Sequence, residues 1–236
     1  MHGNPHAHAD TRVGLNSGLA EGDLALWLGL PAAREHFDPS TLSAADRSRL
    51  SARRRRADFE VSRALLALVD AGSTPHSLSH SAEHAALLVA PAGWQVGVDL
   101  EINRPRDVLR LACFAFHERE VLAMEAASPE ARPQLFYTLW TLKEAVAKAL
   151  HLDLIDALRQ CVFWKEDGEW QGRVPTISAW GAAVFQPRPD IFLAAVWIGG
   201  SEPARVQQWE WPPKQRADWP VIACASSPAS ADAAPA

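Results

Sequence analysis

From Asp23 to Leu28 the chain reads Asp-Leu-Ala-Leu-Trp-Leu, an alternation that predicts a short strand. Ser43 to Ala71 reads as a helix, with Ser43 as N-cap and apolar residues gathered towards its end at Phe59, Val61, Leu65, Leu66, Leu68 and Val69. Ala85 to Ala90 and Gln95 to Ile102 are predicted to form a hairpin around Pro91-Ala92-Gly93. Helical signals dominate from Val108 to Leu150. They are strongest from Leu135 onward, where Leu135, Leu139, Leu142, Val146 and Ala149 recur at helical spacing. Two strands, Cys161–Lys165 and Glu169–Val174, flank Asp167-Gly168, a pair that favours a type I′ turn. Ile191–Ile198 and Val206–Trp211 complete the set of expected strands. Helices mixed with antiparallel hairpins, without regular βαβ alternation, indicate an α+β fold. Residues 1–20 read as a flexible leader, and 213–236, which ends in an Ala/Ser/Pro run from Ala223, as a flexible tail.

Composition narrows the function classes. A chain of 236 residues can bury a sizeable core without a disulfide or metal staple. Its three cysteines, Cys113, Cys161 and Cys224, are widely separated and form no CxxC pair, as expected in a reducing compartment. No basic segment followed by an apolar core opens the chain, and the longest apolar stretch, Ile191 to Gly199, is about half a membrane span. A cytoplasmic protein with no membrane partner is expected. The net charge of −5 argues against a general nucleic-acid binder. Yet Ala44 to Leu66 carries seven arginines against three acids, a local charge of +4. Such a run is either a solvated helix face or a bidentate phosphate grip.

Three further segments carry candidate chemistry. In Gln95 to Ile102, Val96, Val98, Leu100 and Ile102 alternate with Gly97, Asp99 and Glu101. The two carboxylates then stand about 7 Å apart on one face of a strand, and Gly97 leaves room for something to approach the backbone. Two acids so placed are half a site for a hard divalent cation such as Mg2+, or equally the solvated face of an amphipathic strand. On the predicted long helix, Trp140, Glu144 and Lys148 share a face distinct from the apolar stripe. Glu144 and Lys148 are a third carboxylate and a phosphate cation, or an ordinary surface ion pair. Ser77-Leu78-Ser79-His80-Ser81 supplies three hydroxyls and an imidazole, groups able to hold a phosphate. No nucleophile-elbow GxSxG accompanies them, which disfavours a serine hydrolase.

Taken together, these segments resemble the 4′-phosphopantetheinyl transferase superfamily, Sfp type. Gly97-Val98-Asp99-Leu100-Glu101 is similar to its G-[IV]-D-[IL]-E motif, and Trp140-Thr141-Leu142-Lys143-Glu144-Ala145 to its W-[ST]-x-K-E-[AS] motif. Phe116-His117-Glu118-Arg119-Glu120 resembles the F-[ST]-x-x-E segment, and Ser79-His80-Ser81 the S-H-S motif. The resemblance spans about residues 22 to 200. It implies two similar α/β-mixed halves in one chain related by a pseudo-twofold axis, the N-terminal half over 21–93 and the C-terminal half, with the magnesium site, over 94–212. It implies transfer of the phosphopantetheine arm from coenzyme A to a serine of an apo acyl or peptidyl carrier protein, an activity of the holo-[acyl-carrier-protein] synthase type that releases adenosine 3′,5′-bisphosphate. A monomer is expected. The alternative is a non-catalytic homologue that binds coenzyme A or a carrier.

Carried over by resemblance, Asp99, Glu101 and Glu144 are the magnesium ligands, and Asp99, Glu144 and Lys148 the catalytic set. Lys148 is the phosphate contact and Lys143 a second phosphate-facing or cleft lysine. Ser79 and His80 contact the nucleotide end of coenzyme A. Arg63, ahead of Ala64-Leu65-Leu66, matches an Arg-x-L-L helix, and one of Arg53 to Arg56, with Arg56 as the candidate, an upstream phosphate-binding arginine. The chain departs from the family at Ser73-Thr74-Pro75-His76-Ser77, where the family often has Lys-Pro-x-Phe-Asn, so that a lysine contact to coenzyme A is absent there.

Overall fold

Residues 22–50, 56–71, 73–175, 177, 179–199 and 205–227 are described in the structure, a computed structural model. In chain order the elements are β1 (Asp23–Gly29), α1 (Ala44–Leu50), α2 (Arg56–Val69), β2 (His76–Ser81), β3 (His84–Val89) and β4 (Gln95–Ile102). Then come α3 (Val108–Ala115), α4 (Glu118–Ala126), α5 (Arg132–Leu150), α6 (Leu154–Gln160), β5 (Val162–Glu166) and β6 (Glu169–Arg173). The chain continues through β7 (Trp180–Arg188), β8 (Ile191–Ile198), β9 (Arg205–Trp211), β10 (Gln215–Ala217) and β11 (Val221–Ser226). The fold is α+β. Its five-stranded sheet has the order β10-β9-β1-β3-β2, its four-stranded sheet the order β11-β7-β8-β4, and β5 and β6 form a separate hairpin.

Strand periodicity explains the layering. Leu24, Leu26 and Leu28 of β1 and Leu88 of β3 face Val96, Val98 and Leu100 of β4 and Leu193 of β8, which closes one apolar layer between the two sheets. The opposite face of the first sheet, Ala25, Trp27 and Leu87, receives Val61, Ala64, Leu65 and Leu68 of α2. On the outer face of the second sheet, Val184, Ala194 and Val196 receive Leu139, Leu142 and Val146 of α5. The order is therefore helix, sheet, sheet, helix.

Several expectations are corrected. β3 and β4 do not pair: β3 lies in the first sheet and β4 in the second. The hairpin partner of β3 is β2, joined through Ala82 and Glu83, both at positive φ. No Gly or Asn marks that turn. Instead the buried Asp58 of α2 accepts a hydrogen bond from the Glu83 backbone N–H at 2.5 Å. The helix expected over 43–71 is described as α1 and α2, with 51–55 outside the described residues, and Ser43 Oγ accepts from Asp46 N as an N-cap should. The expected tail is built into the sheets as far as Ser226: β10 extends the first and β11 the second. Residues 228–236, like the leader 1–20, lie outside the described residues. β9 also crosses the expected boundary of the halves, running parallel to β1 in the first sheet.

α5 lies directly on β4 at Gly97. A Cβ there would come within 1.9 Å of the Ala145 carbonyl oxygen and 2.7 Å of Ala149 N, both backbone atoms of the helix. The room expected for a ligand is therefore taken by the protein's own helix. Gly97→Ala should cost about 3 kcal/mol of stability, because a strand and a helix backbone must part to admit one methyl. A denaturant midpoint equal to that of the native protein would contradict this contact.

Candidate functional site

The carboxylates of β4 face α5 rather than open solvent. Lys148, in the last turn of α5, donates through Nζ to Asp99 Oδ1 at 2.7 Å and to Ser79 Oγ of β2 at 2.8 Å. Asp99 is only 2% exposed, whereas Lys148 keeps 33% of its side chain in solvent, so the ammonium can serve both the buried acid and a ligand arriving from outside. Ser79 Oγ donates to Asp99 Oδ1 at 3.0 Å, and Ser81 Oγ to Glu101 Oε2 at 3.4 Å. β2 and β4 are edge strands of different sheets, and serine hydroxyls join them: Val98 N donates to Ser77 Oγ at 3.0 Å and Leu100 N to Ser79 Oγ at 3.3 Å. The site thus sits where the two sheets meet, roofed by α5.

Glu144 adjoins this cluster. Burial, then the Asp99 carboxylate, push its carboxyl up from the ordinary 4.5 to about 8; Lys148 works in the opposite direction, and Glu101 adds to the rise. Burial and Asp99 likewise raise Glu101, against the pull of Arg106 and Arg104. A carboxyl that holds its proton more tightly folded than unfolded stabilises the protein fully below its unfolded value. That stability is lost as pH rises from about 4.5 to about 8. The protein without added metal should therefore have a lower denaturation midpoint at pH 8 than at pH 5, and Glu144→Gln should reduce the slope. An unchanged slope in the variant would remove Glu144 as its source.

The arrangement fits a hard divalent cation. Asp99 Oδ2 is a buried acceptor with no hydrogen-bond donor, and it belongs to a carboxylate that interacts with both Glu144 and Glu101. Among the described residues no three acidic, histidine or cysteine side chains form a ready coordination cage. Magnesium needs none, since one or two carboxylates suffice when waters and substrate oxygens supply the rest.

Other expected site residues lie elsewhere. Lys143 does not face the cleft: it is fully buried, donating to Glu120 Oε2 and to the Leu158 carbonyl, both at 2.5 Å. On a helix, adjacent residues point about 100° apart, so Lys143 and Glu144 look in different directions. Glu120, from the segment that opens α4, is thus a structural partner; it also accepts from Phe163 N, at 2.9 Å. His117 takes the N-cap position of α4, with its ring nitrogen accepting from Arg119 N at 3.2 Å. Arg63 pairs with Asp46 at 2.8 Å, and Arg56 with Glu60 at 2.7 Å, so both are engaged by acids of the chain itself. Arg53, Arg54 and Arg55 lie outside the described residues. His80 is half-buried on β2 and alternates with Ser79, so the two side chains leave opposite faces of the strand. The links from Ser77 and Ser81 to β4 went unforeseen; the signal was the hydroxyl at every second position from 77 to 81.

No helix among the described residues is long and apolar enough to cross a membrane. Residues 95–192, which include β4, α5 and β8, match the model of the 4′-phosphopantetheinyl transferase superfamily. The chain is 45% identical over 73 residues to the 4′-phosphopantetheinyl transferase AcpT of Salmonella typhi, covering 30% of this chain and 38% of that one. It is 41% identical to the AcpT of Escherichia coli strain K12 over 73 residues, covering 30% and 37%. To the 4′-phosphopantetheinyl transferase HetI of Nostoc it is 33% identical over 125 residues, 52% of this chain and 51% of that one. The chain thus spans between about a third and a half of the length of the curated relatives it matches. It is over residues 95–192, the segment carrying Asp99, Glu101, Glu144 and Lys148, that the chain is similar to the 4′-phosphopantetheinyl transferase superfamily.

Proposed function

We propose that the protein transfers the 4′-phosphopantetheine arm of coenzyme A to a serine of an apo acyl or peptidyl carrier protein, with Asp99, Glu101 and Glu144 as the magnesium ligands. The observation that carries this reading is the cluster of Lys148, Asp99 and Ser79 at the junction of the two sheets, with Glu144 beside it. The superfamily match over the same segment supports it. So do the named activities of the relatives, AcpT and HetI. The two units of sheet and packed helix, β1–β3 with α2 and β4–β8 with α5, we read as the two halves of a pseudo-twofold fold, interleaved by the return of β9.

The residue chemistry suits the reaction. The serine oxygen attacks the β-phosphorus, the bond from that phosphorus to the bridging oxygen breaks, and adenosine 3′,5′-bisphosphate leaves with the oxygen. Magnesium held by these carboxylates would supply charge screening for the diphosphate. Lys148, anchored at Asp99 yet partly in solvent, places a cation where charge builds on the leaving phosphate. Glu144, beside Asp99 at the edge of the carboxylate cluster, is the group we assign to receive the serine proton. His80, half-buried on β2, is the residue we assign to contact the nucleotide end.

The test is incubation of purified protein with coenzyme A, Mg2+ and a panel of apo fatty-acid, polyketide and peptide-synthetase carriers, read by intact mass. The reading expects at least one carrier to gain the mass of the arm. If no carrier gains mass although coenzyme A binds, the protein is a binder and the transferase reading is wrong.

A further inference from the structure

The hydroxyl of Ser79 has no capacity left for a ligand. A serine oxygen can donate once and accept twice. Ser79 Oγ donates to Asp99 Oδ1 at 3.0 Å and accepts from Lys148 Nζ at 2.8 Å and from Leu100 N at 3.3 Å. It is buried, and its three partners come from β4 and α5, so one oxygen of the first sheet ties the acid strand and the lysine helix of the second unit together. We infer that Ser79 is a positioning residue, which fixes Asp99 and Lys148 relative to each other across the sheet junction, and not a contact of coenzyme A. The inference rests on the transferase reading for its kinetic consequence, but the placement itself does not depend on turnover.

Ser77, two residues earlier on the same strand, supplies an internal comparison. Its hydroxyl accepts from Val98 N at 3.0 Å, the same kind of edge link, with no bond to Asp99 or Lys148. Removing either hydroxyl orphans one β4 amide, so both alanine variants should lower the denaturation midpoint, Ser79→Ala the more because the buried Asp99 also loses a donor. Only Ser79→Ala also frees the lysine and the acid. A site held loosely loses rate steeply, by about 10- to 100-fold for a displacement of the order of 1 Å.

The experiment compares Ser79→Ala, Ser79→Thr and Ser77→Ala with the native protein by melting, by transfer kinetics, and by the NMR signal of the Lys148 ammonium, identified through its loss in Lys148→Met. Positioning predicts that Ser79→Ala lowers kcat about 10- to 100-fold with KM for coenzyme A within about threefold, that Ser79→Thr recovers most of the rate, and that Ser77→Ala keeps it. It also predicts that the Lys148 signal broadens or shifts in Ser79→Ala and persists in Ser77→Ala. A rise in KM for coenzyme A with kcat intact would overturn the inference in favour of a ligand contact. Equal rate losses in both alanine variants would overturn it in favour of a purely structural role. If the native protein transfers nothing, the transferase reading fails, and the Lys148 signal alone decides the placement: unchanged in Ser79→Ala, it rejects it.

Discussion

Replacing Lys143 with methionine is expected to remove about 3–5 kcal/mol of stability, the usual result of breaking a buried ion pair from one side. Both partners of this pair are fully buried, Lys143 Nζ standing 2.5 Å from Glu120 Oε2. Burial pushes the Glu120 carboxyl up and the Lys143 ammonium down, each against the attraction of the other. Further contacts of the pair reach the Leu158 carbonyl and Phe163 N, so it holds α4, α5, the end of α6 and the start of β5 together. Without the lysine, Glu120 must either stay charged in the core or take up a proton. Adding Glu120→Gln should therefore recover part of the loss, because the amide can still accept from Phe163 N without a net charge. Denaturant midpoints of the two single variants and the double variant check this. A loss under 1 kcal/mol for Lys143→Met would mean that the pair contributes little; strict additivity would mean that the two residues do not act together.

Asp99→Asn should leave a folded protein and, on the transferase reading, lower the rate of arm transfer about a thousandfold, since Asp99 holds Lys148 in place by an ion pair inside the cluster. The amide keeps the size of the carboxylate and can still accept from Ser79 and Lys148, so stability should change much less than in Gly97→Ala. What it loses is the negative charge that attracts a cation and anchors the ammonium. Transfer kinetics at saturating coenzyme A, alongside a melting curve, separate the two effects. A rate within tenfold of the native protein would remove Asp99 from the catalytic set.

Much of the architecture was legible because period and burial agree. The alternation through Val96, Val98 and Leu100 and the helical stripe through Leu139, Leu142 and Val146 both face apolar layers, as their spacing required. Asp167-Gly168 adopts positive φ at both residues, as a type I′ turn needs. The β2–β3 hairpin escaped notice because its turn, Ala82-Glu83, is held by a distant carboxylate, Asp58, rather than by local turn chemistry. The strands after 212 escaped because small residues such as Ala223 and Ala225 look uninformative in sequence, yet they fill narrow space against the β7 side of the second sheet.

At the site, residue type and spacing singled out Asp99, Glu101, Glu144 and Lys148, and the structure brings Lys148 onto Asp99 and Glu144 to their side. Direction was less legible. Lys143 and Glu144 are neighbours in sequence but point into a core and towards Asp99 respectively, and Arg56 and Arg63 spend their charge on Glu60 and Asp46. Motif matching records which residue stands where; only packing decides what it touches.

The central claim is that the diphosphate of coenzyme A and its metal ion settle among Asp99, Glu101, Glu144 and Lys148. A crystal structure of the protein soaked with coenzyme A and Mn2+, with the manganese located by its anomalous signal, tests this directly. The account predicts an anomalous peak bounded by the carboxylates of β4 and α5, with the diphosphate beside Lys148. Manganese and diphosphate bound together at any other place on the protein would contradict it.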